Sequence, residues 1–357
     1  MQSYIVWKIK NAKGREIRFM KKLIFILGLF TVLVMYGCGG SSSETNAEEE
    51  VVEISIGHVG APVSPQQGAA DIFTELVEEK TGGSVEIKIY NSSQLGDERE
   101  LVEGVQMGTI DGGIISAGLF ASSYNVMEAF EVPFLFEDTE HTLAVNNGEI
   151  GREVLDNLEA NAGLKALSLW EHGFRQITNS RGPIDTPEDL QGLKIRSPEV
   201  QSYSVALQEF GANPIPLSFS ELYVAMDRGV VDGQHNPLMH IEGQRFYEVQ
   251  DYLTVMDFAY TPNVLALSDS IWEQLSEEQQ NALDEAALET AELWAEEAAE
   301  ENEEILTELE DKIEIIHKED LDWEAFKQVV EDVYPVYEEE YGSEFVQFLE
   351  EVQAAAN

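Results

Sequence analysis

Apolar residues alternate at Val52, Ile54 and Ile56, and His58 continues the same face. A period of two predicts a strand. Ala69, Ile72, Phe73, Leu76 and Val77 then recur at helical spacing, and Gly82-Gly83 ends that helix. "SVEIKIY" reads as a second strand, "DERELVEGVQMG" as a helix and "TIDGGIIS" as an apolar strand. Strands alternating with helices predict parallel pairing in an α/β sheet.

The pattern starts again after about residue 173. Thr186-Pro187-Glu188-Asp189 reads as an N-cap, a proline at N1 and a capping acid. "LKIRSP" is a strand and "EVQSYSVALQEFG" a helix closed by Gly211. Ser218 and Glu221 form a capping box for the next helix, which puts Phe219 at its N1 position. One echo links the halves: Glu100–Gly112 ("ELVEGVQMGTIDG") and Glu221–Gly233 ("ELYVAMDRGVVDG") share five of 13 positions at an offset of 121. Each is a helix, a glycine stop and a strand ending in Asp-Gly. One unit used twice predicts two similar α/β lobes facing each other across a cleft. Ligands of open α/β sheets bind at the carboxyl ends of strands, and His58, Ser116, Arg196 and Asn236 stand at or just past such ends.

After Thr254 the pattern changes. Ser276 to Lys312 is helical in composition, with Leu283, Ala287, Ala291, Trp294 and Ala298 on one stripe. Such a helix is long enough to brace both lobes; a coiled-coil dimer is the rival reading, set against poor heptads. "IEIIH" makes a short strand, and one or two helices finish the chain.

Charge sharpens this picture. The chain has 357 residues, 43% of them hydrophobic, and a formal charge of −47. That apolar content is globular, and the acidity argues against nucleic acid as a partner. The first 38 residues hold seven Lys/Arg and one acid, so the remainder has 14 basic against 67 acidic residues, a balance of −53. Four of those 14 fall between Gly173 and Pro198: Arg175, Arg181, Lys194 and Arg196. Arginine suits planar capture of a carboxylate, although salt bridges within the protein would use the same residue type. At the N-terminus, two lysines after Met20 precede a 14-residue apolar run, Leu23 to Tyr36. This is shorter than the roughly 20 residues of a spanning helix and reads as a signal peptide over 1–38, with Met20 as an alternative start. It ends at Gly37-Cys38, and Cys38 is the only cysteine. The segment resembles a bacterial lipoprotein cleavage site, which implies a lipid anchor on Cys38 and a flexible tether over 39–50. Ordinary secretion is the alternative.

Eight segments carry a more specific likeness: "GHVGAPVSP", "SSQLGDEREL", "VPFLF", "WEHGFRQITNSRGPI", "TPEDLQGLKIR", "GANPIPLSFSELYVAM", "GVVDGQHNPL" and "FYEVQDYL". In this order, over about residues 51–350, they resemble the extracytoplasmic solute-binding proteins of tripartite ATP-independent periplasmic (TRAP) transporters, dicarboxylate-binding type. The resemblance implies a two-lobed, periplasmic-binding-protein-like α/β fold with a long helix spanning both lobes. Crossing strands are expected near Glu171–Ile177 and Ala259–Leu265. Lobe I would take residues 51–172 and 261–300, and lobe II residues 173–260 and 301–357. It also implies capture of an organic acid anion and delivery to membrane permease subunits. Arg196, in "GLKIR", matches the carboxylate-clamping arginine, and Arg175, in "GFRQITNS", a second cleft arginine. Asn236, Phe219, His58, Ser116 and either Asp97 or Glu98 complete the expected contacts. One departure is clear: His235 stands where the family usually has a glutamate.

A secreted carbohydrate-active enzyme and a lipoprotein that feeds a receptor are the competing classes. No G-x-S-x-G, H-E-x-x-H or phosphate loop is present, and no catalytic residue, metal or cofactor is expected. His235 and His240, five apart, make a poor metal pair. Among ligands, His58 with Asp97 or Glu98 favours a hydroxyl-bearing sugar acid or uronate over a dicarboxylate.

Overall fold

The computed structural model describes residues 51–356; the signal segment, Cys38 and the tether lie outside the described residues. Nine strands among these residues form one mixed sheet: β1 (Val52–Gly57), β2 (Val85–Tyr90), β3 (Gly112–Ser116), β4 (Leu164–Asn179), β5 (Lys194–Ser197), β6 (Asn213–Pro216), β7 (Gly233–Asn236), β8 (Tyr252–Ser268) and β9 (Glu314–Ile316). Their order is β2-β1-β3-β8-β4-β7-β5-β6, with β9 beside β8. The parallel pairs expected from the alternation are present: β1 with β2 and β3, and β5 with β6 and β7. The long strands β4 and β8 run antiparallel to each other and join the two sets. Residues 263–267 of β8 pair with β3, whereas residues 176–179 of β4 pair with β7. The fold is therefore two-lobed, and both expected crossings lie inside β4 and β8.

The helices are α1 (Pro65–Thr81), α2 (Glu98–Gln106), α3 (Thr139–Asn146), α4 (Glu149–Ala162), α5 (Gln201–Glu209), α6 (Leu222–Asp227), α7 (Leu238–Gly243), the single turn α8 (Asp269–Trp272), α9 (Glu277–Leu309), α10 (Trp323–Tyr341) and α11 (Ser343–Ala355). The sequence echo is a structural repeat. In one copy α2 leads to β3, and in the other α6 leads to β7. Asp-Gly opens each strand, where the sequence pattern placed it at the strand's end, and has a defined use. Asp111 Oδ2 accepts from Ser55 N on β1 (3.0 Å), and Asp232 Oδ2 accepts from Lys194 N on β5 (2.9 Å). Their carbonyls accept from Ser268 N and Ser180 N, one at the end of β8 and one just past β4. The following glycine allows the long strand to come close. A Cβ on Gly112 would lie 2.6 Å from Leu267 Cδ2, and one on Gly233 would lie 2.3 Å from Thr178 O.

Helix α9 runs for 33 residues, capped by Ser276, and buries Leu283, Ala287, Ala291, Trp294 and Ala298. It packs on α1, β4 and α7, so its predicted stripe is a contact face within the chain. Indole bonds fix its middle: Trp294 Nε1 donates to Glu171 O (2.8 Å), and Trp170 Nε1 donates to Ala287 O (2.9 Å).

Three further expectations need correction. The turn at Pro187–Leu190 keeps its capping box but is one 3-10 turn, not a longer helix. Helix α6 starts at Leu222 with Glu221 as its cap residue. The Ser218 hydroxyl bonds the Glu221 carboxylate (3.1 Å) rather than a backbone N–H, so Phe219 sits in the preceding turn. The C-terminal residues do not all belong with the second lobe. Phe345, Phe348, Leu349 and Val352 of α11 join the core that holds Leu101, Ile115 and Phe130, and Val352 O bonds His141 Nε2 (2.8 Å). Apolar burial decided the location, since that face of α11 fits the core over the first lobe.

Candidate functional site

Of the four basic residues in 173–198, two serve the surface. Arg181 pairs with Asp232 (2.6 Å), and Lys194 is exposed at the start of β5. The other two are buried: Arg175 is 2% exposed and Arg196 3%. Neither forms an ion pair among the described residues. Arg196 Nε donates to Leu217 O (2.9 Å), and its guanidinium lies over the Phe219 ring (6.0 Å). Arg175 Nε donates to His235 Nδ1 (2.8 Å), while its Nη2 donates to His235 O (2.6 Å) and Asn236 Oδ1 (2.9 Å). Its guanidinium lies over Tyr203 (5.3 Å). Burial, then the neighbouring charge of Arg175, lowers the Arg196 pKa to about 9, opposed by Glu98, Asp97 and Glu199. Arg196 thus stays charged at neutral pH.

His235 gives Arg175 a neutral partner where a carboxylate would give a charged one. It accepts from Arg175 at Nδ1, so the proton of the neutral ring is on Nε2. Burial, with Arg175 and Arg196 close by, holds its pKa well below the ordinary value. The ring is wedged between Tyr203 (4.6 Å) and Phe258 (5.4 Å). A glutamate here would neutralise Arg175; histidine leaves the charge in place.

The opposite wall comes from the first lobe. Glu98 opens α2, and its Oε1 accepts from Ser116 N (2.9 Å) and Ser116 Oγ (2.7 Å). Asp97 caps α2, and its Oδ2 accepts from Ser220 Oγ (2.7 Å), a bond between the lobes. Arg99 and Glu199 make a second such contact (3.4 Å). His58 follows β1, is 1% exposed and touches Gln67 Oε1 through Nε2 (3.3 Å). Burial lowers its pKa to about 4, against the Gln67 bond. Among the eight residues expected from sequence, Phe219 lies against Arg196, Asn236 bonds Arg175 and Ser116 bonds Glu98. Glu98 and Asp97 act on Arg196 from the first lobe, Asp97 bonds Ser220 between the lobes, and His58 acts on His240.

Other groups there escaped the sequence reading. Glu131 is fully buried, accepts from Gly118 N (3.0 Å) and has a free Oε2. Burial raises its pKa to about 8, against the pull of Arg175. His172 and His240 are buried and in contact, and Asn263, level with Ser116 across the β3–β8 pair, has both amide atoms unpartnered. His172 was hidden by a β-bulge between Glu171 and Gly173, which breaks the alternation that assigns faces. Buried polar atoms are rarely left unpaired, and this group lies around the two arginines.

The chain matches the family model of bacterial extracellular solute-binding proteins, family 7, over residues 56–340. It belongs to that family. The chain is 34% identical over 305 residues to the 2,3-diketo-L-gulonate-binding periplasmic protein YiaO of Escherichia coli (84% of this chain, 92% of that one). A TRAP periplasmic solute-binding protein from Polaromonas sp. JS666, solved with D-erythronate, superposes with a TM-score of 0.80 at 33% identity (85% and 98% covered). The sugar acid binding protein DctPAm of Advenella mimigardefordensis, solved with galactonate, gives 0.81 at 31% identity (86% and 99% covered). These family 7 relatives are binding proteins, and the fold they share is the two-lobed one described above. No helix among the described residues is long and apolar enough to cross a membrane.

Glu131 sets a pH dependence. Its native pKa of about 8 lies above the ordinary 4.5. Between those values the native state holds a proton that the unfolded chain has lost, so this group's contribution to stability falls as pH rises. Glu131→Gln should remove that loss. In denaturant titrations, the stability difference should move in the variant's favour from pH 5 to pH 8; a flat or reversed difference would show that native Glu131 is ionised.

Proposed function

We propose that this protein is the extracytoplasmic solute receptor of a TRAP transporter, capturing an organic acid through Arg196 and Arg175 and leaving its bonds unchanged. One observation carries the reading: two guanidiniums are buried close enough to repel each other and form no ion pair among the described residues. A carboxylate about 4 Å from such a charge gains roughly 4 kcal/mol at an effective dielectric near 20. The net surface charge opposes an anion only weakly, because the Debye length is about 8 Å at physiological salt. Asn236 holds Arg175 in place, Phe219 supports Arg196, and His58, Ser116 and Glu98 offer hydroxyl partners from the other wall. The relatives solved with D-erythronate and galactonate support a hydroxylated acid as the ligand class.

The lobes, taken as residues 51–172, 261–300 and 343–355 against the remainder, close on the acid about β4 and β8, as rigid-body hinge closure does in periplasmic binding proteins generally. Asp97–Ser220 and Arg99–Glu199 then act across the closed mouth. The closed shape is what the membrane permease subunits recognise, and a lipid on Cys38 keeps the protein at the membrane.

Three measurements check this reading. Arg196→Ala should cost on the order of 2–5 kcal/mol of acid binding by calorimetry; a loss below threefold removes the clamp. X-ray scattering should give a smaller radius of gyration with saturating acid, and an equal radius argues against closure. Intact mass of the native protein should show diacylglyceryl-Cys38 as the first residue, and an unmodified start elsewhere rejects the anchor.

A further inference from the structure

Glu131 ends the 3-10 turn Asn125–Glu131 and is fully buried, yet it forms no ion pair among the described residues. Its Oε1 accepts from Gly118 N (3.0 Å), and its Oε2 is buried without a hydrogen-bond partner. The carboxyl is tightly seated: a Cβ on residue 118 would lie 2.8 Å from Glu131 Cδ. A buried carboxyl with one N–H donor and no paired cation is neutral, because burial penalises its charged form. Its pKa of about 8 accords with this.

The carboxyl stands where the lobes meet. Three residues earlier, Glu128 accepts from Ser202 N (2.7 Å) and Gln201 N (3.3 Å) at the start of α5, in the second lobe. Glu131 acts on Tyr203 of that helix and is itself acted on by Arg175. The ionisable groups around it belong to several elements. Arg175 on β4 favours its charged form, whereas Glu98 on α2 and Glu128 on its own turn oppose it. Tyr203 stays neutral, since burial raises its pKa well above the ordinary value. Tyr260 on β8 donates to Glu171, and Tyr341 on α10 donates to Glu128. The turn Ala117–Phe120 brings Gly118 N, and α11 meets Phe130 through Phe348; neither contact titrates.

We propose that Glu131 and the ligand compete for Arg175, so that capture of an acid obliges Glu131 to hold a proton and couples binding to proton uptake. The inference rests on the acid-binding reading above. Two effects have the same sign. A carboxylate on Arg175 cancels the pull of that cation on Glu131 and adds a negative charge nearby, which favours the protonated carboxyl. Separation of the lobes lets water reach the boundary and eases ionisation, so closure favours the proton again. The pKa of Glu131 is therefore higher in the closed, liganded protein than in the open one, and affinity falls as pH rises through that interval.

Calorimetry with D-galactonate, in buffers of different ionisation enthalpy, tests this on the full mature protein; succinate serves as the probe if galactonate does not bind. At pH 8 the wild type should take up at least about half a proton more per ligand than Glu131→Gln, which keeps an acceptor for Gly118 N and cannot ionise. Between pH 7 and pH 9 the wild type should lose about threefold or more in affinity relative to the variant. Arg196, with a pKa of about 9, takes up protons in both proteins and cancels in the comparison. If Glu131→Gln does not fold, difference infrared spectroscopy of the wild type at pH 8 decides: the protonated-carboxyl band should grow when the acid is added. Equal proton uptake with parallel pH profiles in the two proteins, or an unchanged carboxyl band, overturns the coupling and leaves the acid-binding reading standing. If the folded wild type binds neither acid, the acid-binding reading itself fails, and this one with it.

Discussion

Two like charges buried side by side constrain everything around them. Removing an ion from water costs several kcal/mol after relaxation, and Arg175 and Arg196 additionally repel each other. The fold meets this cost with neutral acceptors. Arg175 has His235 Nδ1, His235 O and Asn236 Oδ1; Arg196 has Leu217 O. Tyr203 and Phe219 add the negative faces of their rings. Several sequence choices then make sense together: a histidine and an asparagine at the end of β7, an aromatic in the turn before α6, and a tyrosine on α5 beneath the guanidinium.

This arrangement also reconciles the acidic chain with an anionic ligand. Surface carboxylates act through screened water, whereas the two guanidiniums act in an interior that screens little. The carboxylates that do approach the cleft are occupied or held neutral. Glu98 is bonded by Ser116, Asp97 by Ser220, and Glu131 is kept protonated by burial. Glu98 and Asp97 still act on Arg196, so the site's positive character comes from the two retained guanidiniums and a protonated Glu131.

Much of this was legible in the sequence, for reasons that can be named. Regular alternation marked β1 and β2, a helical stripe with a glycine stop marked α1, and composition with an apolar stripe marked α9, because these elements are set by local periodicity and local backbone preference. The Asp-Gly echo was legible because a carboxylate cap and a missing Cβ are needed at both strand starts. Arg196 and Asn236 were legible as residues at or next to strand ends, which is where they stand. His172, His240 and Glu131 could not: a bulge inverts the face of the first, and tertiary packing alone brings the others to the arginines. The location of α11 was equally hidden, since an amphipathic helix does not state which core it will cover.

The irregularities in the β4–β8 ladder have a mechanical meaning. Register shifts at Ala166/Ser168, Glu171/Gly173 and Arg175/Ile177 interrupt the two-strand beam, and Gly173 adopts φ +119° within it. A beam bends where its rungs are missing. His172 and Arg175 both stand at such shifts. Under the closure proposed above, a ligand held by Arg175 would act where this ladder is irregular, and its shape would bias the angle between the lobes.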